Sequence, residues 1–286
     1  MLSYKQAIRN AEIELEKAEK SMQLAKIFMV ELTNAKDINL YLVYEDEIDA
    51  SILEVYTNGI QRMLQDEPMQ YILGYETFYG RNFDVNKDVL IPRPETEELV
   101  ANALSLIDDI RESKEHPVIL DVGCGSGAIG ISLKLEEPSI QMYASDISEE
   151  ALVVAKSNAK KLEADIEFLQ GSMLEPFLEK GIKADGIVCN PPYIRQDANL
   201  EATVVDYEPN IALFGGEDGL YFYKLVFDHA LEVLNPSGFM AFEIGFDQKD
   251  ALLKEVNTRF PNASSEVLQD MFGKDRMLIV NFGIKK

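Results

Sequence analysis

Asn190-Pro191-Pro192-Tyr193 follows directly on an apolar run that ends in Val188-Cys189. Each proline lacks an N–H and restricts the residue before it to extended backbone, so Asn190 and Pro191 are both held extended. A segment this stiff can aim the Asn190 side-chain oxygen and the Pro191 carbonyl at one point, where a planar –NH2 group would donate to both. Tyr193 then offers a flat ring for such a group to lie on. Taken alone, a Pro-Pro pair is equally a rigid loop exit.

Two further groups bear on what that amino group meets. Asp121-Val122-Gly123-Cys124-Gly125-Ser126-Gly127-Ala128 lies where a buried strand turns into a helix. Glycines there allow positive φ and close approach, so a ligand can lie against main-chain N–H groups at the helix start. Gly123, Gly125 and Ala128 also fit the relaxed dinucleotide fingerprint, which keeps a nicotinamide cofactor in view. Asp146 ends the next expected strand, where a carboxylate accepts from both hydroxyls of a ribose. Ser148 competes with it as a helix cap. Together the pair indicates adenosine, in a dinucleotide or in S-adenosylmethionine.

These groups need a sheet to bring them together. From Pro117 onward strands and helices alternate: strands at 117–122, 141–145, 166–169, 186–189, 239–244, 264–268 and 277–282, with helices running to about 135, over 148–162 and over 219–234. The alternation predicts an α/β fold with a doubly wound, seven-stranded, mostly parallel sheet whose ligands lie beyond the carboxyl ends of the strands. Residues 1–75 read instead as a small helical domain, on two apolar sets at helical spacing: Leu15, Met22, Leu24, Ile27, Phe28 and Leu32, then Ile48, Ile52, Leu53, Tyr56, Ile60 and Leu64. Residues 76–95, rich in Tyr, Phe and Gly, read as a β-hairpin linker, and 96–286 as the catalytic domain.

The chain has 286 residues, enough for two moderate domains. Its 47% hydrophobic content excludes disordered and collagenous readings. The net charge of −23 is the wrong sign for tracking a phosphate backbone. Two cysteines, Cys124 and Cys189, form neither a disulfide scaffold nor a zinc pattern, and two histidines make metal or triad chemistry a poor reading. We expect no metal, no membrane span, a cytoplasmic location and a monomer.

Asn-Pro-Pro-Tyr after a strand of this fold resembles the class I S-adenosylmethionine-dependent methyltransferases that act on planar amino nitrogens. Further segments narrow the resemblance: residues 68–74 (PMQYILG), 90–97 (LIPRPETE), Tyr207-Glu208-Pro209, 215–220 (GGEDGL) and Glu243-Ile244-Gly245. They look like the peptide chain release factor N5-glutamine methyltransferase family. The motifs run from about residue 68 to 276, whereas the first 65 residues match only in being helical.

The resemblance implies transfer of a methyl group from S-adenosylmethionine, leaving S-adenosylhomocysteine, to the glutamine amide nitrogen in the Gly-Gly-Gln motif of release factors. By the same resemblance Gly123, Cys124, Gly125, Ser126 and Gly127 back the amino acid part of the cofactor and Asp146 its ribose. Asn190, Pro191 and Tyr193 act in catalysis, and Asn190, Pro191, Pro192 and Tyr193 hold the substrate amide. After the third strand the family often carries an acidic residue, where this chain has Gly171-Ser172-Met173. The resemblance places the adenine at this stretch, where Ser172 can hydrogen-bond and Met173 can pack on the ring. Arg93 and Glu95 either line the site or form an ion pair that fixes the linker. The helical domain is expected to recognise the protein substrate. Rival readings are a glutamine methyltransferase of a ribosomal protein, an adenine N6 or guanine N2 nucleic-acid methyltransferase, a non-catalytic cofactor-binding regulator and a nicotinamide dehydrogenase.

Overall fold

The computed structural model describes residues 2–198 and 206–283. They fall into two compact units, one of residues 2–74 with 206–207, the other of residues 75–198 and 208–283.

The first unit is helical: α1 (Tyr4–Lys17), α2 (Gln23–Asn34), α3 (Leu40–Val43), α4 (Ala50–Leu64) and α5 (Met69–Leu73). Ser3 and Gln6 cap α1 reciprocally, each side chain accepting from the other's N–H, which satisfies donors a helix end leaves over. Asp49 caps α4 through the N–H groups of Ser51 and Ile52. The first apolar set divides between two helices, with Glu19 in a left-handed conformation (φ 58°) separating them. Met22 and Ile27 stay 42% and 43% exposed, outside the core that Leu15, Phe28, Ile52 and Tyr56 build. The rings of Phe28 and Tyr56 stack at 5.7 Å. Gly59 on α4 permits the approach, since a side chain there would begin 2.3 Å from the Phe28 ring. Tyr207 closes on this unit by donating its hydroxyl to the Gln65 carbonyl at 2.6 Å.

The second unit opens on the expected hairpin, β1 (Tyr75–Phe78) antiparallel to β2 (Arg81–Asp84). Helix α6 (Pro94–Arg111) comes next and is not among the elements outlined from sequence periodicity. Its signals are nonetheless local: Pro94 in the first turn, Glu95 and Glu97 at the positive end of the helix dipole, and buried Leu99, Val100, Ala103, Ile107 and Ile110 at helical spacing.

The sheet comprises β3 (Val118–Val122), β4 (Gln141–Asp146), β5 (Ile166–Gln170), β6 (Ala184–Cys189), β7 (Leu234–Glu243), β8 (Ser264–Gln269) and β9 (Asp275–Asn281). The order is β5-β4-β3-β6-β7-β9-β8, parallel except for β9, which runs antiparallel to both its neighbours. The unit also holds helices α7 (Ala128–Glu136), α8 (Glu149–Lys161), α9 (Glu175–Glu179), α10 (Tyr221–Val233) and α11 (Lys249–Arg259), and a 3-10 turn at Asn210–Ala212. Strand β7 starts earlier than expected, because Leu234 already pairs with Ala184 ahead of a register irregularity. Along β7 side chains alternate between two cores: Met240 and Phe242 pack with Tyr223 and Phe227 of α10, while Phe239 and Ala241 pack with Leu99 and Ile107 of α6.

The chain builds outward from β3 to β5 and then returns to β6 on the other side of β3, so the strand order reverses there. Ligands of doubly wound sheets bind at the carboxyl ends beside such a reversal. The ends of β3, β4, β5, β6 and β7 bring the glycine loop, Asp146, Gly171–Met173, Asn190 and Glu243 to that edge.

Candidate active site

A cavity of about 280 Å³ opens at this edge. Its walls include Gly123 and Gly125 after β3, Asp146 and Ile147 at the end of β4, Ser172 and Met173 after β5, and Asn190 and Pro192 after β6. Tyr221, Phe222 and Leu225 of α10 add apolar surface. Seven of the residues expected at the site thus share one wall system: Gly123, Gly125, Asp146, Ser172, Met173, Asn190 and Pro192. Cys124, Ser126, Gly127, Pro191, Tyr193, Arg93 and Glu95 do not contribute to it.

The glycine loop departs from expectation in how its donors are used. Gly123 and Cys124 donate their N–H groups to the Ser145 carbonyl at 2.9 and 2.8 Å, Gly127 donates to the Cys124 carbonyl at 2.8 Å, and Gly125 donates to Asp146 Oδ2 at 2.8 Å. Three of these N–H groups, expected to face a ligand, therefore hold the loop onto β4, and the fourth closes the loop on itself. What Gly123 and Gly125 present is backbone without side chains, at φ 72° and 54°. The Ser126 carbonyl accepts from Asn158 Nδ2 at 2.9 Å, which fastens the loop to α8. Cys124 packs among Ala144, Leu152 and Ala155, and burial pushes its thiol and that of Cys189 well above the usual range. Neither is a nucleophile in this state.

Ser148 takes the capping role on α8, its hydroxyl accepting from the Ala151 N–H at 3.1 Å. Asp146 is left to face the cavity, with one oxygen held by Gly125 and the other accepting from the Ser148 N–H at 2.9 Å. Burial raises its carboxyl, and those N–H groups oppose the shift. Met173 is fixed by its carbonyl, which accepts from Ser145 Oγ at 3.1 Å.

Asp121, which is not among the residues expected at the site, lies fully buried near the end of β3. Its Oδ2 accepts from the Gly130 N–H at 2.8 Å, while Oδ1 has no hydrogen-bond partner. Burial, assisted by the charge of Asp146, pushes its carboxyl up to about 7. The available signal was an acid inside an otherwise apolar strand, which demands an explanation because buried charge is costly.

At Asn190 the side-chain amide nitrogen donates to Thr96 Oγ1 at 3.3 Å, and Thr96 Oγ1 donates to Glu243 Oε2. The Tyr193 hydroxyl donates to the other oxygen, Glu243 Oε1, at 3.1 Å. Tyr193 therefore does not turn its ring to the cavity: the ring packs with the core and its hydroxyl serves Glu243. Burial raises the Glu243 carboxyl, while the Thr96 and Tyr193 donors and the Arg276 charge pull it down. Burial and the neighbouring Glu243 charge push the Tyr193 phenol up, so it remains a donor.

Arg93 pairs with Glu208, and Glu95 is not its partner. The buried Glu208 carboxylate also accepts from the Ile91 N–H at 3.3 Å. This ties the Pro-rich segment before α6 to Glu208, so the ion pair Arg93 makes is with Glu208 and not the expected one with Glu95.

These residues suit S-adenosylmethionine. Asp146 is an acceptor on the wall beside Gly123 and Gly125, whose backbone carries no side chain to fill the cavity, and Ile147, Met173 and Leu225 supply apolar surface. A mostly parallel sheet of this order, with a cavity at its reversal and Asn-Pro-Pro-Tyr after β6, defines a class I methyltransferase. A family model described as methyltransferase small domain matches residues 100–207, and one described as PrmC N-terminal domain matches residues 6–74. Among solved structures, a human methyltransferase 10 domain containing protein (19% identity, TM-score 0.52, 72% of this chain and 90% of that one) and a methyltransferase from Pyrococcus furiosus (19%, 0.50, 79% and 99%) share the fold. Release factor glutamine methyltransferases are similar in sequence over nearly the whole chain: that of Bacillus subtilis is 40% identical over 275 residues (96% of each chain), that of Bacillus cereus 41% over 256 residues (88% and 90%). The chain belongs to the release factor glutamine methyltransferase family.

Proposed function

We propose that this enzyme transfers a methyl group from S-adenosylmethionine to the side-chain amide nitrogen of the glutamine in the Gly-Gly-Gln motif of peptide chain release factors, in the cytoplasm. The observation that carries the reading is Asn190 on the cavity wall, held at the head of a stiff Pro-Pro segment at the sheet's reversal.

A carboxamide nitrogen is a poor nucleophile because its lone pair is delocalised into the carbonyl. The cofactor, when bound, supplies an electrophilic sulfonium methyl. The chain's own contribution is position: the Asn190 Oδ1 and the Pro191 carbonyl accept the two amide hydrogens, hold the nitrogen in line and favour its pyramidal form. Orientation of this kind is worth about 7 to 11 kcal/mol of barrier when complete. A neutral Asn accepts without leaving an extra charge beside the reacting centre. The nitrogen becomes acidic on methylation, so its proton leaves without a dedicated base. Gly123 and Gly125 back the amino acid part of the cofactor, Asp146 takes its ribose, and Ser172 and Met173 take its adenine. Residues 1–75 serve substrate recognition, with 76–95 as linker and 96–286 as the catalytic domain.

A nucleobase amino group would suit the same acceptors. The net charge of −23 and the family relationship favour a protein amide. The test is transfer of labelled methyl to release factor, beside a form with the Gly-Gly-Gln glutamine replaced by Asn, and to total RNA and DNA. Label is expected on intact release factor alone, and it should vanish with Asn190→Ala while cofactor affinity stays within several-fold. Equal labelling of the altered factor, or labelling of nucleic acid alone, overturns the reading.

A further inference from the structure

We infer that Thr96 and Glu243 are positioning residues that decide which way the Asn190 amide faces. An Asn side chain is nearly symmetric in shape: turned by half a revolution, it presents –NH2 where it presented oxygen. Only one orientation serves a substrate amide, because the substrate donates and Asn190 must accept. Prolines at 191 and 192 set the backbone but leave this terminal torsion undetermined.

The hydrogen-bond chain determines it. Glu243, as a carboxylate, offers acceptors only. One oxygen takes the Tyr193 proton, and the other takes the single proton of the Thr96 hydroxyl. Thr96 Oγ1 then has lone pairs left and no proton, so toward Asn190 it can only accept. The group it accepts from is the Asn190 amide nitrogen, at 3.3 Å. With –NH2 committed to Thr96, Oδ1 is turned to the other side and is free for the substrate. The reverse orientation would set Asn190 Oδ1 against a hydroxyl oxygen with no proton to give, burying two acceptors face to face. Tyr223 anchors the end of β7 by donating its hydroxyl to the Glu243 backbone carbonyl at 2.8 Å, and Arg276 supports the carboxylate charge. Direction thus passes from a buried carboxylate through a hydroxyl to the reactive amide, and Thr96 and Glu243 need touch neither cofactor nor substrate.

The inference rests on the methyl-acceptor reading above for its kinetic consequence, and on the hydrogen bonds alone for its structural one, so both are measured. Thr96→Val removes the acceptor and keeps the shape, and Thr96→Ser restores it. Glu243→Gln, of equal size, brings in an –NH2 that can donate to Thr96 and release its proton toward Asn190. Thr96→Val and Glu243→Gln are expected to lower kcat by about ten- to a hundredfold, with KM for release factor and affinity for S-adenosylhomocysteine changed less than about threefold, and Thr96→Ser to stay near wild type. In Asn-selective 15N spectra of the protein, the Asn190 side-chain –NH2 is expected to be shielded from exchange in wild type and Thr96→Ser, and exposed in Thr96→Val. A wild-type kcat in Thr96→Val, a serine variant as impaired as valine, or a loss confined to KM or cofactor affinity overturns the inference. If wild type labels no release factor while the –NH2 is shielded as expected, the function reading fails and the orientation stands.

Discussion

A methyl group placed on Gly215 would stand 2.5 Å from the carbonyl oxygen of Pro192. The next nearest atoms, the Gly219 carbonyl oxygen at 2.8 Å and Tyr193 Cα at 2.9 Å, are also backbone, so no flexible side chain can yield. The loop of residues 215–219 lies directly on the strut that carries Asn190, and hydrogen bonds from the Ile194 N–H to the Leu213 carbonyl (3.0 Å) and from the Gly215 N–H to the Ile194 carbonyl (2.8 Å) clamp the two together. Gly215→Ala is expected to move Pro192 and Tyr193, lower stability by about 1–3 kcal/mol and reduce kcat by roughly a hundredfold. Denaturant titration and single-turnover methyl transfer measure the two effects; turnover within twofold of wild type would show that the strut does not depend on this contact.

Asp146 has both oxygens engaged by backbone donors, yet lines the cavity. Asp146→Ala would lose a charge-assisted acceptor for the cofactor ribose and one anchor of the glycine loop. Calorimetric titration with S-adenosylhomocysteine should show affinity weaker by about 1.5–3 kcal/mol, with the protein still folded. Unchanged affinity would remove Asp146 from the cofactor site.

Asp121 gives the unliganded enzyme a stability that depends on pH. Its carboxyl sits at about 7 in the fold against an ordinary value of 3.8. Between those values the folded protein keeps a proton that the unfolded chain releases, so this group's contribution falls as pH rises from about 4 to about 7 and then levels off. The full span is on the order of a few kcal/mol. Urea midpoints at pH 5.5 and 8 should differ less in Asp121→Asn than in wild type. An identical pH dependence in the two proteins would mean that Asp121 titrates near its ordinary value.

Arg93 is partly exposed, but Glu208, its partner, is 4% exposed. Removing the cation strands a buried carboxylate, so Arg93→Ala is expected to cost about 1–3 kcal/mol of stability, with cofactor affinity unchanged. Thermal melts and titration with S-adenosylhomocysteine separate the effects. Weakened cofactor binding without loss of stability would return Arg93 to the site.

Local features of this protein follow from residue type and spacing. Apolar runs at 117–122 and 186–189 mark strands, because a strand covered on both faces has no polar side to show. The glycine loop, Asp146 and Asn190-Pro191-Pro192-Tyr193 are each read at a strand end from residue type and spacing alone. The chemistry at Asn190 was legible because proline restricts its predecessor independently of context. Tertiary structure alone decided the partners. Thr96 and Asn190 are 94 positions apart and Thr96 and Glu243 are 147 apart; they meet because α6 packs against β7 and β7 lies beside β6. An aromatic beside a Pro-Pro strut invites a ligand onto its ring, yet in the fold the Tyr193 hydroxyl completes Glu243. The Gly123 and Cys124 donors meet Ser145 for the same reason: β4 lies beside β3, and a backbone N–H takes the acceptor that pairing brings within reach. Residue type states what a group can donate or accept, and only strand order and helix packing choose which groups stand 3 Å apart.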